Sequence, residues 1–260
     1  MLQAAVLPFS IPTVHARIKV AMPARPATAA GSACTSCALR GVCLPCDLLS
    51  DDLQRFSNLT IAKRRIARGA SLYHAGERFE SLFAVRSGAF KTIGTSHNGD
   101  EKVTGFYLQG EMLGLDAISA GRHGYSAVAL EDSEVCAMSF IALETMAQSM
   151  PLLQNKLFRV LSSDISRDQG LMLLLGSMTA EQRLAAFLLS LSRRHQRLGF
   201  AADRYRLRMT RAEIGNYLGL TLETISRLLS RFQRESLITV QQRDITIKDP
   251  GRLREMVGHW

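Results

Sequence analysis

The sequence has no hydrophobic run long enough to cross a membrane. None of its apolar stretches reaches the roughly 18 residues that a membrane span needs, so we expect a soluble, cytoplasmic protein with no membrane partner. The first 31 residues contain no acidic residue, but prolines interrupt any amphipathic helix there, and no continuous hydrophobic segment precedes a cleavage site. We therefore interpret residues 1–31 as a flexible N-terminal arm rather than a targeting segment.

The sequence also lacks the residue arrangements that catalysis requires. Its six histidines are scattered along the chain. None of them stands in a nucleophile–base pattern, and no glycine-rich phosphate loop is visible. We therefore predict that the protein is not an enzyme.

Acidic residues are absent from the N-terminal end of the chain, and the charge is unevenly distributed. Residues 1–46 carry four basic and no acidic residues, and residues 180–260 carry 15 basic and 8 acidic ones. The middle of the chain is close to neutral. A basic C-terminal third predicts a polyanionic partner, which is most often nucleic acid.

Cysteine is scarce except in one short stretch. Four of the five cysteines lie within 13 positions, and the full set is Cys34, Cys37, Cys43, Cys46 and Cys136. A protein that binds nucleic acid lies in a reducing compartment, where structural disulfides are rare. We therefore do not expect these cysteines to form a disulfide framework. The spacing C-x2-C-x5-C-x2-C suits four thiolates around a zinc ion or an iron–sulfur cluster, and it does not separate the two. A thiol–disulfide switch that uses Cys46 is a third alternative.

Two kinds of periodicity divide the middle of the chain. Residues 60–145 contain short segments that alternate apolar and polar residues, with a hairpin turn at Asn98-Gly99; this predicts a β-barrel or roll of about eight strands. After Pro151 the apolar residues recur every three or four positions, which predicts a long helix with a coiled-coil seam. The seam positions are Phe158, Leu161, Ile165, Asp168, Met172 and Leu175.

One seam position is unfavourable for a stable dimer. Asp168 would face its own copy across the two-fold axis. Two carboxylates at such a position repel each other and resist desolvation. We therefore predict a homodimer that is weak and easily switched.

The C-terminal part contains a helix-turn-helix pattern. Two capping boxes, TAEQ (179–182) and TRAE (210–213), each open an apolar-periodic segment. The second segment predicts a helix from Arg211 to about Leu218, a turn at Gly219 and a second helix capped by Thr221. The segment LITVQQRDITI then supplies two short strands, as a winged variant would.

The second helix of this motif presents polar side chains that can read DNA. Arg227 can bond bidentately to guanine, Glu223 can accept a hydrogen bond from cytosine, and the Ser226 hydroxyl is a flexible contact. Arg231 and Arg234 lie further along the helix and are better placed for phosphates. Double-stranded DNA is therefore the predicted partner.

These motifs resemble the CRP/FNR family of transcription regulators. The segment TRAEIGNYLGLTLETISRLLSRFQ is similar to the DNA-binding helices of that family, and Glu223, Ser226 and Arg227 match the pattern of its fumarate-and-nitrate-reduction (FNR) branch. The segments AEQRLAAFLLSLSRR and GFYLQGEMLGLDAIS extend the resemblance, which covers roughly residues 33–250. It implies an activator or repressor that recognises a palindrome with TTGAT-like half-sites and contacts RNA polymerase.

The resemblance also implies what the protein senses. Cyclic-nucleotide receptors of the family hold their ligand with a Glu and an Arg at places that are Leu115 and Tyr125 here, so we expect no cyclic nucleotide. FNR proteins carry three cysteines near the N-terminus and a fourth in the roll. Cys34, Cys37, Cys43 and Cys136 match these positions, which implies an oxygen-labile [4Fe–4S] cluster. Cys46 departs from the family pattern.

The complete prediction is an α+β protein with a cyclic-nucleotide-binding-like β-roll, a long dimerisation helix and a winged helix-turn-helix. The predicted segments are a flexible arm (1–31), a cysteine-rich cluster loop (32–50), a β-roll sensor domain (51–150), a dimerisation helix (151–178) and a DNA-binding domain (179–260). We expect oxygen-responsive control of anaerobic and microaerobic gene expression. The alternative is a DNA-binding regulator with a structural zinc or a thiol–disulfide switch in the cysteine loop.

Overall fold

The computed structural model describes residues 34–45, 47–58, 62–96 and 98–258. The predicted N-terminal arm (1–31) and Cys46 lie outside these residues. No helix in the described ranges is long and apolar enough to cross a membrane.

The first half of the described chain is a β-roll preceded by helix α1 (Ser50–Asn58). Its strands are β1 (Ala62–Ile66), β2 (Ser71–Tyr73), β3 (Ser81–Ser87), β4 (Phe90–Thr95), β5 (Glu101–Tyr107), β6 (Met112–Leu113), β7 (Ser126–Ala129) and β8 (Ser133–Ser139). They form two antiparallel four-stranded sheets, in the orders β1-β8-β3-β6 and β2-β7-β4-β5. The predicted eight-stranded roll is confirmed.

The alternating sequence pattern explains how the roll closes. Inward-facing residues such as Phe83, Val85, Phe90 and Val135 are buried together between the two sheets, because successive residues of a strand point to opposite faces. The predicted hairpin lies between β4 and β5. Its loop, 96–100, contains Gly99 in the left-handed region at φ 83°, where glycine carries no Cβ penalty.

Two helices follow the roll, and the second is long. Helix α2 (Phe140–Ser149) leads into α3 (Pro151–Ser177), which has 27 residues and begins with a proline in its first turn, where no N–H is needed. One side of α3 buries Leu153 and Leu174 against the rest of the chain. The predicted long helix is confirmed, and it ends one residue before the predicted boundary.

The C-terminal part is a winged helix-turn-helix. It contains α4 (Ala180–Arg197), β9 (Arg204–Arg206), α5 (Arg211–Leu218), α6 (Leu222–Arg234), β10 (Ile238–Gln241), β11 (Asp244–Ile247) and α7 (Pro250–Val257). Both predicted capping boxes are present, at the N-termini of α4 and α5. The wing is a three-stranded sheet in the order β10-β11-β9, so it has one strand more than the sequence predicted.

A half-buried ion pair joins α4 to the roll. The Arg194 guanidinium donates from Nε and Nη2 to the Glu111 carboxylate at 2.8 and 2.5 Å, and the Leu108 N–H donates to the same carboxylate at 2.8 Å. Burial alone would raise the pKa of Glu111, but Arg194 and the Leu108 N–H outweigh it and hold that pKa below its ordinary value. The pair therefore contributes stability above pH 4.5, and the contribution is lost as the pH falls through the depressed pKa.

We predict that Glu111→Gln lowers the free energy of unfolding by about 2 kcal/mol at pH 7, between the values of exposed and fully buried ion pairs. The matched control is Glu131→Gln, which breaks the more exposed pair with Arg208 and should cost less than about 1 kcal/mol. Urea unfolding of both variants from pH 7 to pH 3 checks this. The Glu111 effect should shrink as the pH falls, and an effect that is constant with pH would contradict the assignment.

Candidate metal centre and nucleic-acid interface

The cysteine loop is a series of turns that lies on an apolar cluster of the roll. Cys43 N–H donates to the Leu39 carbonyl at 2.9 Å and closes one of these turns. Leu44 and Leu48 are buried and pack with Leu53 and other residues of α1 and the roll. These apolar anchors fix the loop without a disulfide, and the four cysteines in the described residues are free thiols.

The fold brings Cys136 to the cysteines of the loop. Cys136 lies in β8, where it pairs with Lys63 of β1 and Ala84 of β3. Cys34, Cys43 and Cys136 belong to the same apolar cluster. Burial raises the pKa of Cys43 to about 12, and the thiols of Cys136, Cys34 and Cys37 add to the increase. Burial likewise raises the pKa of Cys136 to about 11. Cys34, Cys43 and Cys136 therefore pack together, and Cys37 lies near enough to raise the pKa of Cys43 and Cys136.

A buried hydroxyl adds to this group. Ser57 Oγ is buried and lies beside the Cys34 thiol. Burial raises the pKa of the neighbouring Cys34 thiol, and the Ser57 hydroxyl partly offsets that increase. A donor beside a sulfur ligand stabilises the thiolate form. Sequence reasoning missed Ser57, since a serine at the end of an amphipathic helix carries no motif.

The donor set fits a metal–thiolate centre. Soft thiolate ligands select zinc, copper(I) or iron–sulfur clusters, and an apolar surrounding disfavours bare thiolates unless a cation neutralises them. Among residues 34–45, 47–58, 62–96 and 98–258, no three His, Cys, Asp or Glu side chains are arranged to hold a metal ion. The geometry does not choose between zinc and iron–sulfur, and Cys46 lies outside the described residues.

A charged pair lies beside the thiols and was also missed from the sequence. Arg86 donates to the Glu134 carboxylate, and this hydrogen bond raises the pKa of Arg86, with smaller contributions from Cys136 and Cys37. Arg65 Nε lies 3.6 Å from the same carboxylate. The guanidinium of Arg86 thus places a positive charge near two of the predicted ligands.

The helix-turn-helix has the geometry that the sequence predicted. Gly219 ends α5 in the left-handed region at φ 65°, and Thr221 caps α6 by accepting from the Thr224 N–H at 3.1 Å. Gly215 is required as well, because a Cβ there would lie 2.6 Å from the Leu220 carbonyl oxygen. These two glycines let α5 and α6 approach closely enough for a tight turn.

The outer face of α6 carries the predicted DNA contacts. Glu223 and Arg227 are exposed, and Ser226 is half-buried and accepts from Arg211 Nη1 at 3.3 Å. The inner face buries Ile225, Leu228, Leu229 and Phe232. The first turns of α6 therefore present polar groups that a major groove can accept.

Arg231 is held by other residues of the chain. It forms ion pairs with Glu181 of α4 and with Glu235, where Nε lies 2.7 Å from Oε1. Arg234 is exposed on the same helix. The predicted phosphate contact of Arg231 requires the guanidinium to exchange these carboxylates for a phosphate, whereas Arg234 needs no such exchange.

The predicted seam forms an exposed apolar stripe on α3. Phe158, Ile165 and Met172 are 60%, 58% and 72% exposed, and Leu161 and Leu175 are half-buried. The Asp168 side chain is 59% exposed, and its carboxylate lies 4.0 Å from Arg167 Nε. Large apolar side chains at a seven-residue spacing on one helix face are typical of an interface between helices.

The places that hold a cyclic nucleotide in related receptors carry no charge here. Leu115 opens a short 3-10 turn after Gly114, and Tyr125 is 41% exposed. Nearby, the buried His123 ring stacks on the Tyr73 ring, with centroids 3.7 Å apart, and these two side chains occupy part of the interior of the roll. Neither Leu115 nor Tyr125 offers a charged side chain to a cyclic phosphate or its sugar.

A β-roll followed by a long helix and a winged helix-turn-helix defines a transcription regulator of the CRP type. Residues 63–150 match the family described as cyclic nucleotide-binding domain, and residues 182–256 match the Crp-like helix-turn-helix domain. The chain is 43% identical over 226 residues, 87% of its length and 90% of the relative's, to the fumarate and nitrate reduction regulatory proteins of Escherichia coli K12 and Salmonella typhimurium LT2. It belongs to the FNR branch of the CRP/FNR family.

Solved structures agree with this assignment. FixK2 from Bradyrhizobium japonicum superposes with a TM-score of 0.70 at 28% identity and covers 78% of this chain and 100% of its own. A CooA mutant from Carboxydothermus hydrogenoformans has a TM-score of 0.62 at 20% identity, over 76% and 88% of the two chains, and supports the fold alone. The chain is therefore an FNR-type transcription regulator that binds DNA.

Proposed function

We propose that this protein is an oxygen-responsive global regulator of anaerobic and microaerobic gene expression. It acts in the cytoplasm as a homodimer, binds palindromic TTGAT-like sites and contacts RNA polymerase while a [4Fe–4S] cluster is intact. The observation that carries the proposal is that Cys34, Cys43 and Cys136 pack in one apolar cluster, with Cys37 near enough to raise the pKa of Cys43 and Cys136. The likeness to the fumarate and nitrate reduction regulators supports the same conclusion.

Cys34, Cys37, Cys43 and Cys136 would hold the cluster. When bound, a [4Fe–4S] cluster supplies a link between the loop and β8 that oxygen can break. The apolar cluster buries Cys34 and partly covers Cys43 and Cys136, and the Arg86 guanidinium, itself paired with Glu134, lies near Cys136.

The cysteine loop is connected to the long helix by direct packing. The apolar cluster that contains Cys34 and Leu44 also contains Leu153 and Met150, and Leu157 and Val160 pack against it. These residues belong to or directly precede the first turns of α3. Anchoring the loop therefore supports the helix that carries the seam, and releasing the loop weakens that support.

The support that the loop provides to α3 affects the oligomeric state, because α3 carries the seam. The apolar stripe of α3 favours a dimer, and Asp168 opposes it. Two opposing contributions leave an equilibrium that a few kcal/mol can shift. Only the dimer presents two reading helices to a palindrome.

Metal and sulfide content of protein purified without oxygen tests the proposal. About four irons and four sulfides per chain, with visible absorbance that changes in air, would support the oxygen-sensing regulator. One zinc per chain and a featureless spectrum would support a structural zinc site instead. A metal-free protein whose thiols oxidise reversibly would support the thiol–disulfide alternative.

Arg227→Ala is expected to weaken binding to the palindrome by about 1–3 kcal/mol per half-site and to relax discrimination at one base pair, because a bidentate guanine contact is lost. The control is Arg234→Ala, which should weaken all duplexes alike and lower the salt slope by about one. Fluorescence anisotropy with the palindrome and single-base variants measures both. Full discrimination in the Arg227 variant would remove this residue from base reading.

A further inference from the structure

One side chain bonds both to the end of the long helix and to the helix-turn-helix. Arg183, in the first turn of α4, donates from Nη2 to the Leu175 carbonyl at 2.8 Å and from Nε to the Met178 carbonyl at 2.9 Å. Both carbonyls belong to the last turn of α3 or its C-cap, where helical partners are missing. The guanidinium therefore satisfies two backbone carbonyls at the C-terminal end of α3, the helix that carries the seam.

The same guanidinium also holds α5. Arg183 Nη1 donates to the carbonyl of Leu218, the last residue of α5, at 3.1 Å. At the next residue, Gly219, a Cβ would make ordinary contacts with Nη1 at 3.4 Å and with Leu175 Cδ2 at 3.5 Å, so the glycine is required for its left-handed φ of 65°. A planar fork with five donors can serve three carbonyls from two helices. Lysine offers a single nitrogen and cannot reproduce this geometry.

A second side chain attaches α5 to the roll. The Asn216 amide donates to the Glu101 carbonyl at 2.9 Å, and its oxygen accepts from the Val103 N–H at 2.7 Å. These are backbone groups of β5, the edge strand of its sheet. The Asn216 side chain therefore satisfies hydrogen-bonding groups that have no neighbouring strand in that sheet. One turn earlier on α5, Glu213 pairs with Lys91 at 2.8 Å.

We propose that Arg183 and Asn216 are positioning residues that set the direction of the reading helix α6 relative to the seam of α3. Helix α6 follows α5 after a turn of three residues, so the orientation of α5 determines that of α6. In a dimer, this junction sets the spacing of the two reading helices. The inference rests on the proposed binding of a palindrome by a dimer, and it assigns no DNA contact to either residue.

The experiment compares two DNA duplexes, one with the full palindrome and one with a single half-site, and uses full-length protein loaded with its cluster under anaerobic conditions. Arg183→Lys and Asn216→Ala are expected to lower the ratio of palindrome to half-site affinity about tenfold. The reason is that the reading helix of the second protomer no longer has the orientation that the second half-site requires. Half-site affinity, salt slope and dimer fraction should stay unchanged. Arg193→Lys, on the exposed side of α4, is the matched control and should behave as wild type.

Each other outcome overturns the proposal. An equal loss on both duplexes would indicate a damaged reading domain, and a salt slope lowered by about one would indicate a direct phosphate contact. An unchanged ratio in both variants would show that the junction does not set the spacing. If wild-type protein itself shows no preference for the palindrome, the proposed function fails together with this inference. A wild-type preference that both variants retain overturns the inference alone.

Discussion

Replacing Cys136 with serine is expected to give a folded protein that contains no cluster and does not bind the palindrome at any oxygen level. Cys136 is the predicted ligand that the roll contributes, and it lies in β8 beside the buried Val135. A serine fits the half-buried strand position but is a poor ligand for iron. Without the fourth ligand the loop loses the link to β8 that the cluster would supply and keeps only its apolar anchors, so its support for α3 is weakened.

The matched control is Cys46→Ser. Cys46 departs from the family pattern, and if it is a spare thiol its replacement should leave iron, sulfide and DNA binding unchanged. Iron and sulfide assays on anaerobic protein, with anisotropy on the palindrome, measure both variants. We expect less than one iron per Cys136→Ser chain against about four in the control, and at least a hundredfold loss of affinity. The reverse pattern would place the fourth ligand of the cluster at Cys46 in the loop rather than at Cys136.

Circular dichroism and thermal unfolding separate loss of the cluster from loss of the fold. The apolar cluster beneath the loop is built from leucines and methionines, including Leu44, Leu53 and Met138, and removing one sulfur leaves it nearly intact. Unfolding of the Cys136→Ser apoprotein should therefore resemble that of wild-type apoprotein. A variant that is unfolded before loading would show that Cys136 is needed for packing.

The sequence predicts the parts of this fold that depend on local periodicity. The alternation in residues 60–145 predicts the roll, and the three-and-four spacing after Pro151 predicts α3, because each pattern reflects which side of an element is buried. The two capping boxes locate the starts of α4 and α5 closely, since each combines a side-chain cap with a reciprocal Gln or Glu. Each of these patterns is local, because it is formed by residues that lie close to one another in the chain.

Contacts between distant segments could not be predicted in this way. Ser57 lies near Cys34, Arg86 meets Glu134, and Asn216 bonds to β5 across more than a hundred residues. None of these residues has a pattern in its own neighbourhood. The grouping of Cys136 with the loop was predicted only through the family resemblance, because spacing alone allowed a closed site of four loop cysteines. Strand β9 was missed because it has only three residues.

Asp168→Ala is expected to keep the protein dimeric in air. The side chain of Asp168 is 59% exposed on the seam of the single chain. Its neighbour Arg167, whose Nε lies 4.0 Å away, is shared with Asp164 and with the hydroxyl of Tyr107 at 3.0 Å. A dimer would bring two such carboxylates together in an apolar interface and would remove water from them. Their removal should strengthen dimerisation by about 3 kcal/mol, or roughly a hundredfold in the dimer dissociation constant.

The measurement is sedimentation velocity before and after exposure to air, with iron content followed in the same samples. Glu144→Ala is the control, because it removes an exposed carboxylate from α2, away from the seam, and should become monomeric in air like wild type. The Asp168 variant should lose its cluster in air at the ordinary rate and yet stay dimeric, since the substitution acts on the seam and not on the thiols. A variant that becomes monomeric in air would show that Asp168 does not limit the dimer. A variant that stays dimeric only because its cluster persists would place the effect at the cysteines.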